Sequence, residues 1–106
     1  MASGKIAKPF TPADLPGRLL RYQKTATKTV PANGSTGPST IDVSRDGYKA
    51  LCVAGFYVSG TAAQNNSVVN QCYLSDSTTV TYNVANVSGT ARDWVFHIYV
   101  LYVQDS

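Results

Sequence analysis

The sequence contains no glutamate; its six acids are all aspartates, Asp14, Asp42, Asp46, Asp76, Asp93 and Asp105. Charged residues make up only 14% of the 106 positions, against roughly 25% in an ordinary soluble domain. A chain this poor in charge has either a neutral polar surface or one partly covered by partners. There is a single histidine, His97, and only two cysteines, Cys52 and Cys72. No G-x-S-x-G, P-loop or H-E-x-x-H pattern occurs, so the residue sets for the common nucleophilic, phosphate and zinc chemistries are missing. An enzyme is therefore not expected. One His and two Cys at these spacings match no metal-ligand pattern, and no metal or other cofactor is expected. No apolar run reaches the ~20 residues that a helix needs to cross a bilayer. Residues 1–10 lack the apolar region of a secretory signal. Synthesis in a cytosol follows, and there two cysteines are more often a buried thiol pair than a bridge, although adjacent antiparallel strands could bring them face to face.

What the chain does have is Thr, Ser, Val, Tyr and Asn, which suit strands and turns. The stretch 94–103, W-V-F-H-I-Y-V-L-Y-V, reads as the central strand. Alternation puts Trp94, Phe96, Ile98, Val100 and Tyr102 on one face and Val95, His97, Tyr99, Leu101 and Val103 on the other. Both faces are apolar, so both need cover. Period-two patterning begins at Tyr22 and gives strands at about 21–30, 40–44, 49–58, 67–74, 79–85 and 91–103, separated by Gly-, Asn-, Asp- and Ser-rich turns. The fifth alternates cleanly, with Val80, Tyr82 and Val84 inward and Thr79, Thr81 and Asn83 outward. The third and sixth do not, which marks them as covered on both sides. The expected fold is all-β: an antiparallel β-sandwich, jelly-roll-like, of about six strands over residues 22–106. Residues 1–21 precede it as an extended arm in which Pro9, Pro12 and Pro16 exclude a long helix.

If each strand runs antiparallel to its predecessor, the loops after strands one, three and five share one pole. That pole collects residues 31–39, 59–66 and 86–90, including both copies of V-S-G-T-A, at 58–62 and 87–91. The termini and the short turns at 45–48 and 75–78 share the other. The polar loop cluster supplies the candidate ligand-binding residues Asn33, Ser35, Thr36, Gln64, Asn65, Asn66, Ser88 and Arg92, which could hydrogen-bond a neutral ligand such as a sugar. Exposed turns of any protein have the same composition. Asn33, Asn65 and Asn86 head N-x-S triplets, expected to be unmodified without secretion. Tyr48, Tyr57, Tyr73, Tyr99 and Tyr102 could stack on a ligand or pack in the core.

Charge is uneven. Residues 1–28 carry +5 and the remainder −2. The basic character thus belongs to the arm, where Lys5, Lys8, Phe10, Leu15, Arg18, Leu19, Leu20 and Arg21 are candidate anchoring residues; a leader without a role reads equally well. The body lacks the basic, aromatic-interleaved face of a nucleic-acid binder. His97 lies about 13 Å along the strand from Asp93, too far to be oriented by it, and reads as a packed or interface histidine. Three copies near a symmetry axis would allow an ion or pH response. Phe56, Trp94, Phe96, His97, Tyr99 and Leu101 are assigned to core or oligomer interface.

Segments 46–61, D-G-Y-K-A-L-C-V-A-G-F-Y-V-S-G-T, and 95–103, V-F-H-I-Y-V-L-Y-V, resemble the small C-terminal β-sandwich head of phage tail-fibre and receptor-binding proteins, and V-V-N-Q-C-Y-L-S and T-V-T-Y-N-V fit the same pattern. The likeness covers about residues 26–103 and contains no catalytic motif. It implies a homotrimer made in the host bacterial cytoplasm and located in the virion, often attaching to bacterial surface saccharide. Such heads end long shafted proteins, whereas only some 25 residues precede this sandwich. If Met1 is the start, the arm must do the attaching, to a phage coat or tail/fibre protein. A capsid decoration protein whose arms grip coat subunits is the alternative, and a free-standing trimeric lectin a further one.

Overall fold

The computed structural model describes residues 19–105. Six strands make two antiparallel three-stranded sheets: β1 (Leu19–Val30), β2 (Ser39–Asp42), β3 (Tyr48–Ser59), β4 (Ser67–Asp76), β5 (Thr79–Asn86) and β6 (Arg92–Gln104). One sheet has the order β1-β6-β3 and the other β2-β5-β4. First pairs with last and second with fifth, the wrapping of a jelly roll reduced to six strands. A four-residue helix, α1 (Ala63–Asn66), links β3 to β4 across the layers; the sequence reading had only a turn there.

The two apolar faces of β6 are now distinguished. Trp94, Phe96, Ile98, Val100 and Tyr102 are fully buried between the sheets. They meet Val80, Tyr82 and Val84 of β5, the inward set expected from its alternation, together with Val30 and Val43. Burying a large apolar side chain stabilises by about 1.5–3 kcal/mol, so β6, with five, is the strand the core is built on. Its two amphipathic core residues tie it down at opposite ends. The Trp94 indole N–H donates to Thr61 O at 2.9 Å, and the Tyr102 hydroxyl donates to Val43 O at 2.6 Å. Burial of the Tyr82 and Tyr102 rings raises both phenol pKa values above 10.

Several expectations need correction. Leu19, Leu20 and Arg21 are not part of an arm: they open β1, paired with Val103, Tyr102 and Leu101, and Leu20 packs on the core. The other proposed anchoring residues, Lys5, Lys8, Phe10, Leu15 and Arg18, lie outside the described residues. The missing alternation of β3 does not come from cover on both sides. Two register shifts, between Ala50 and Cys52 and between Val53 and Gly55, break its period, and Leu51, Cys52 and Tyr57 are exposed. Each shift inserts a residue and flips those after it to the other face. The outward residues of β6 are half-buried by their own sheet, with the Arg21 guanidinium 4.2 Å above the Tyr99 ring and Tyr57 stacked on His97 at 4.1 Å. Among the described residues no second layer lies on that face.

The cysteines are free but do not form a buried pair. Cys52 is exposed, opposite Leu101 in one sheet; Cys72 points inward, opposite Tyr82 in the other. Half-burial pushes the Cys72 thiol up to about 11.

Candidate functional site

The loops do gather at two poles as the strand order requires. At one, the Asn33 N–H donates to Ser88 O, the Asn86 N–H to Gly34 O and the Val87 N–H to Asn66 O, so segments 31–38, 60–66 and 87–91 are hydrogen-bonded into one surface. At the other, the Val43 N–H bonds Thr78 O and the Asp105 N–H bonds Gly47 O, beside the start of β1. The strands that separate the poles are twelve residues long in β1 and β3, or roughly 35–40 Å.

The loop pole is organised by a buried side chain that was not among the candidate ligands. Asn86 is 1% exposed. Its amide donates to Val30 O and Thr90 O, while its carbonyl accepts from the backbone and hydroxyl of Ser88. All its bonding capacity is used in stapling the end of β1 to the 87–91 loop, and the folded chain leaves no free amide there for a glycan.

Four of the eight nominated ligand residues are engaged in the same way. Thr36 Oγ1 donates to Gly37 O and accepts from the Val84 N–H, Ser35 Oγ accepts from the Gly37 N–H, and the Asn66 amide donates to Ala62 O. Ser88 is held by Asn86, and Arg92 is half-buried with Nε enclosed and unpaired. Asn33, Gln64 and Asn65 keep side chains that bond no other described residue. Asn33 sits apart from the other two, at φ 53° in the 31–38 loop.

Gln64 and Asn65 instead border an open cleft of about 330 Å³ between the end of β3 and α1, with Tyr57, Ser59 and Gly60 on its other wall. This cleft was missed because it depends on α1, four residues too short to carry a helical period. Gly60 lets its wall pack closely against Trp94 behind it. At φ 127°, a Cβ there would come within 2.9 Å of Trp94 Cδ1 and 3.0 Å of Asp93 O.

Behind the cleft wall, His97 completes a short relay. Its Nε2 lies 2.7 Å from Ser59 Oγ and its Nδ1 3.1 Å from Gln23 Oε1. With the carboxamide oxygen accepting from Nδ1–H, Nε2 is left to accept from the serine hydroxyl. A serine this close to an imidazole has the spacing of an activated nucleophile. The third member here is a neutral carboxamide, which orients the ring without stabilising an imidazolium, and the Tyr57 ring lies flat upon it at 2°. Asp93 is engaged elsewhere, accepting from the Thr29 hydroxyl. The arrangement fixes His97, Ser59 and Tyr57 as one rigid outward patch.

Tyr48 and Tyr102 pack edge-to-face at 6.4 Å near the opposite pole, leaving Tyr57, Tyr73 and Tyr99 as the outward tyrosines of the expected set. No group of three or more metal-ligating side chains occurs among the described residues.

No protein-family model matches this chain, and neither a curated protein nor a solved structure is similar to it.

Proposed function

We propose that this chain is a non-enzymatic structural protein of a bacteriophage particle: a homotrimeric β-sandwich knob displayed on the particle surface as a fibre tip or host-surface head, and attached through its N-terminal arm. The observation that carries this reading is the separation of the poles. β1 begins at the pole opposite the loops, so the segment before Leu19 joins the body some 35–40 Å from the loop surface. Attachment through that segment holds the loop pole and the 57–65 cleft outward. The cleft walls carry an aromatic ring, a hydroxyl and two carboxamides, the groups that bind neutral saccharide by stacking and hydrogen bonding.

A second reading, capsid decoration with the arms gripping coat subunits, is favoured by the arm's own composition, +5 over residues 1–28 with three prolines. An extended basic chain suits lying along a coat subunit. One truncation separates the two. Removing residues 1–18 leaves β1 whole, whereas a cut at residue 20 would remove two of its paired residues. For a head, the truncated chain keeps binding host cells or their surface saccharide but no longer joins the particle. For a decoration protein, it loses capsid binding and shows no host-cell binding before or after. Particle attachment that survives the truncation overturns both. Ester or glycoside hydrolysis lost on His97→Ala or Ser59→Ala would overturn the non-enzymatic assignment.

A further inference from the structure

Among the described residues each sheet has two free edges, and the two long sides of the sandwich are built differently. One side carries β1, whose Arg21 points outward while Lys24 and Lys28 point inward, opposite Ile98 and Trp94. Inward-pointing charges on an edge strand are a standard defence against pairing with another chain. The other side carries β3 and β4. From Ala50 to Ser75, between Lys49 near the start of β3 and Asp76 at the end of β4, there is no charged residue and no histidine. Five of the seven exposed large hydrophobic residues lie on these two strands: Leu51, Val68, Val69 and Tyr73, each 45–48% exposed, along this side, and Tyr57, which is turned onto the outward face of the sheet over His97.

We propose that this uncharged β3–β4 side is where copies of the chain meet, three of them turning it toward a common axis and leaving the 57–65 cleft open at its loop end. The inference rests on the homotrimeric reading above and places the contact away from the outward face of β6, whose His97, Tyr99 and Leu101 the sequence assigns to core or interface without separating the two. That face is already half-shielded by Arg21, Gln23 and Tyr57, and it carries a guanidinium over Tyr99. The β3–β4 side has no such cover. Its lack of charge selects the occupant. A charged partner would lose hydration here with nothing to pair against, whereas a second uncharged edge of the same chain matches it. Its size suffices as well: the nine uncharged residues of β4, 67–75, with the facing part of β3, span roughly 30 Å by 20 Å over two layers, about 600 Å² per partner, the lower end of a standard interface. Four register shifts, two in β3 and two in β4, bend these edges. The copies therefore meet through side chains and do not continue one another's sheets.

The test is the mass of the full chain in solution at low micromolar concentration, by sedimentation equilibrium, with melting curves as a check on folding. The parent is expected at three times the chain mass. Val69→Lys and Tyr73→Lys, at half-exposed positions, are expected to sediment as folded monomers, a threefold drop. Thr25→Lys and Leu101→Lys, on the outward face of the β1-β6-β3 sheet, are expected to stay trimeric. A trimer that survives the β3–β4 substitutions but dissociates with Thr25→Lys or Leu101→Lys overturns this interface and leaves the trimeric reading standing. A parent that is monomeric overturns both, as does a monomer whose β3–β4 variants lose binding to the particle alone, which would give that edge to a coat or fibre protein.

Discussion

Gly60 and Gly89 occupy the same place in two identical pentapeptides, V-S-G-T-A, yet only one of them is confined. Gly60 has a backbone that L side chains rarely adopt, and a Cβ there would come within less than van der Waals distance of Trp94, while a Cβ on Gly89 would meet nothing within 4 Å. Gly60→Ala is therefore expected to destabilise by about 2 kcal/mol or more, and Gly89→Ala by less than about 0.5 kcal/mol. Equal losses in denaturant unfolding would refute the distinction. Nothing in the repeat itself separates the copies; the difference is the tryptophan that folding brings against one of them. Asn86 makes the same point. Its N-x-S triplet marked it as a surface residue, and only the return of β1 beside it turns it into a buried hub. Gln64, Asn65 and Tyr57 were legible as polar or stacking candidates, but their grouping around one cleft was not.

At the scale of elements, the short turns of the arm-side pole are closed by carboxylates. Asp42 accepts the Ser44 N–H at 2.8 Å just beyond β2, and Asp76 accepts the Thr78 N–H at 2.8 Å between β4 and β5. Hydrogen bonding to these backbone N–H groups, first among the causes in each case, holds both carboxyls below their ordinary 3.8. A depressed folded-state pKa contributes stability that is complete above the unfolded value and is lost as pH falls through the folded one. The thermal midpoint should thus be insensitive to these two groups above about pH 5 and decline below about pH 4. In the double variant Asp42→Asn and Asp76→Asn, the acid-side decline should be shallower; superimposable slopes would exclude the two turns as its source. The strands themselves were readable to within one or two residues, because alternation survives wherever the register is regular. It failed at β3, where bulges hide the period, and at the start of β1, where Leu19 and Leu20 looked like part of the arm until their pairing with β6 was seen.

The whole molecule divides its chemistry by position. The basic charge of residues 1–28 includes Arg21, Lys24 and Lys28 on β1, and the uncharged stretch lies at the other edge of that sheet, on β3, and on β4. The two proposed attachments should therefore respond differently to salt. If copies meet along residues 50–75 as proposed, the contact holds no ion pairs, so the trimer mass should be unchanged between roughly 0.05 and 1 M salt. The attachment proposed for the basic N-terminal segment should weaken over the same range, since the Debye length shrinks from more than about 10 Å to about 3 Å. A trimer that dissociates in high salt would mean that charged residues, and not this edge, hold the copies together.

The sequence by itself determined the all-β sandwich, the assignment of loops to poles and the inward set of β5, because these depend on a two-residue period and on turn chemistry that act locally. It also contained the 26-residue span without charge, a signal that became meaningful only once β3 and β4 proved to be edges on one side. Which face of β6 is core, where α1 folds and which asparagine is buried were decided by tertiary structure. In each of these cases both outcomes satisfy the local pattern, and only the packing of residues distant in the chain separates them.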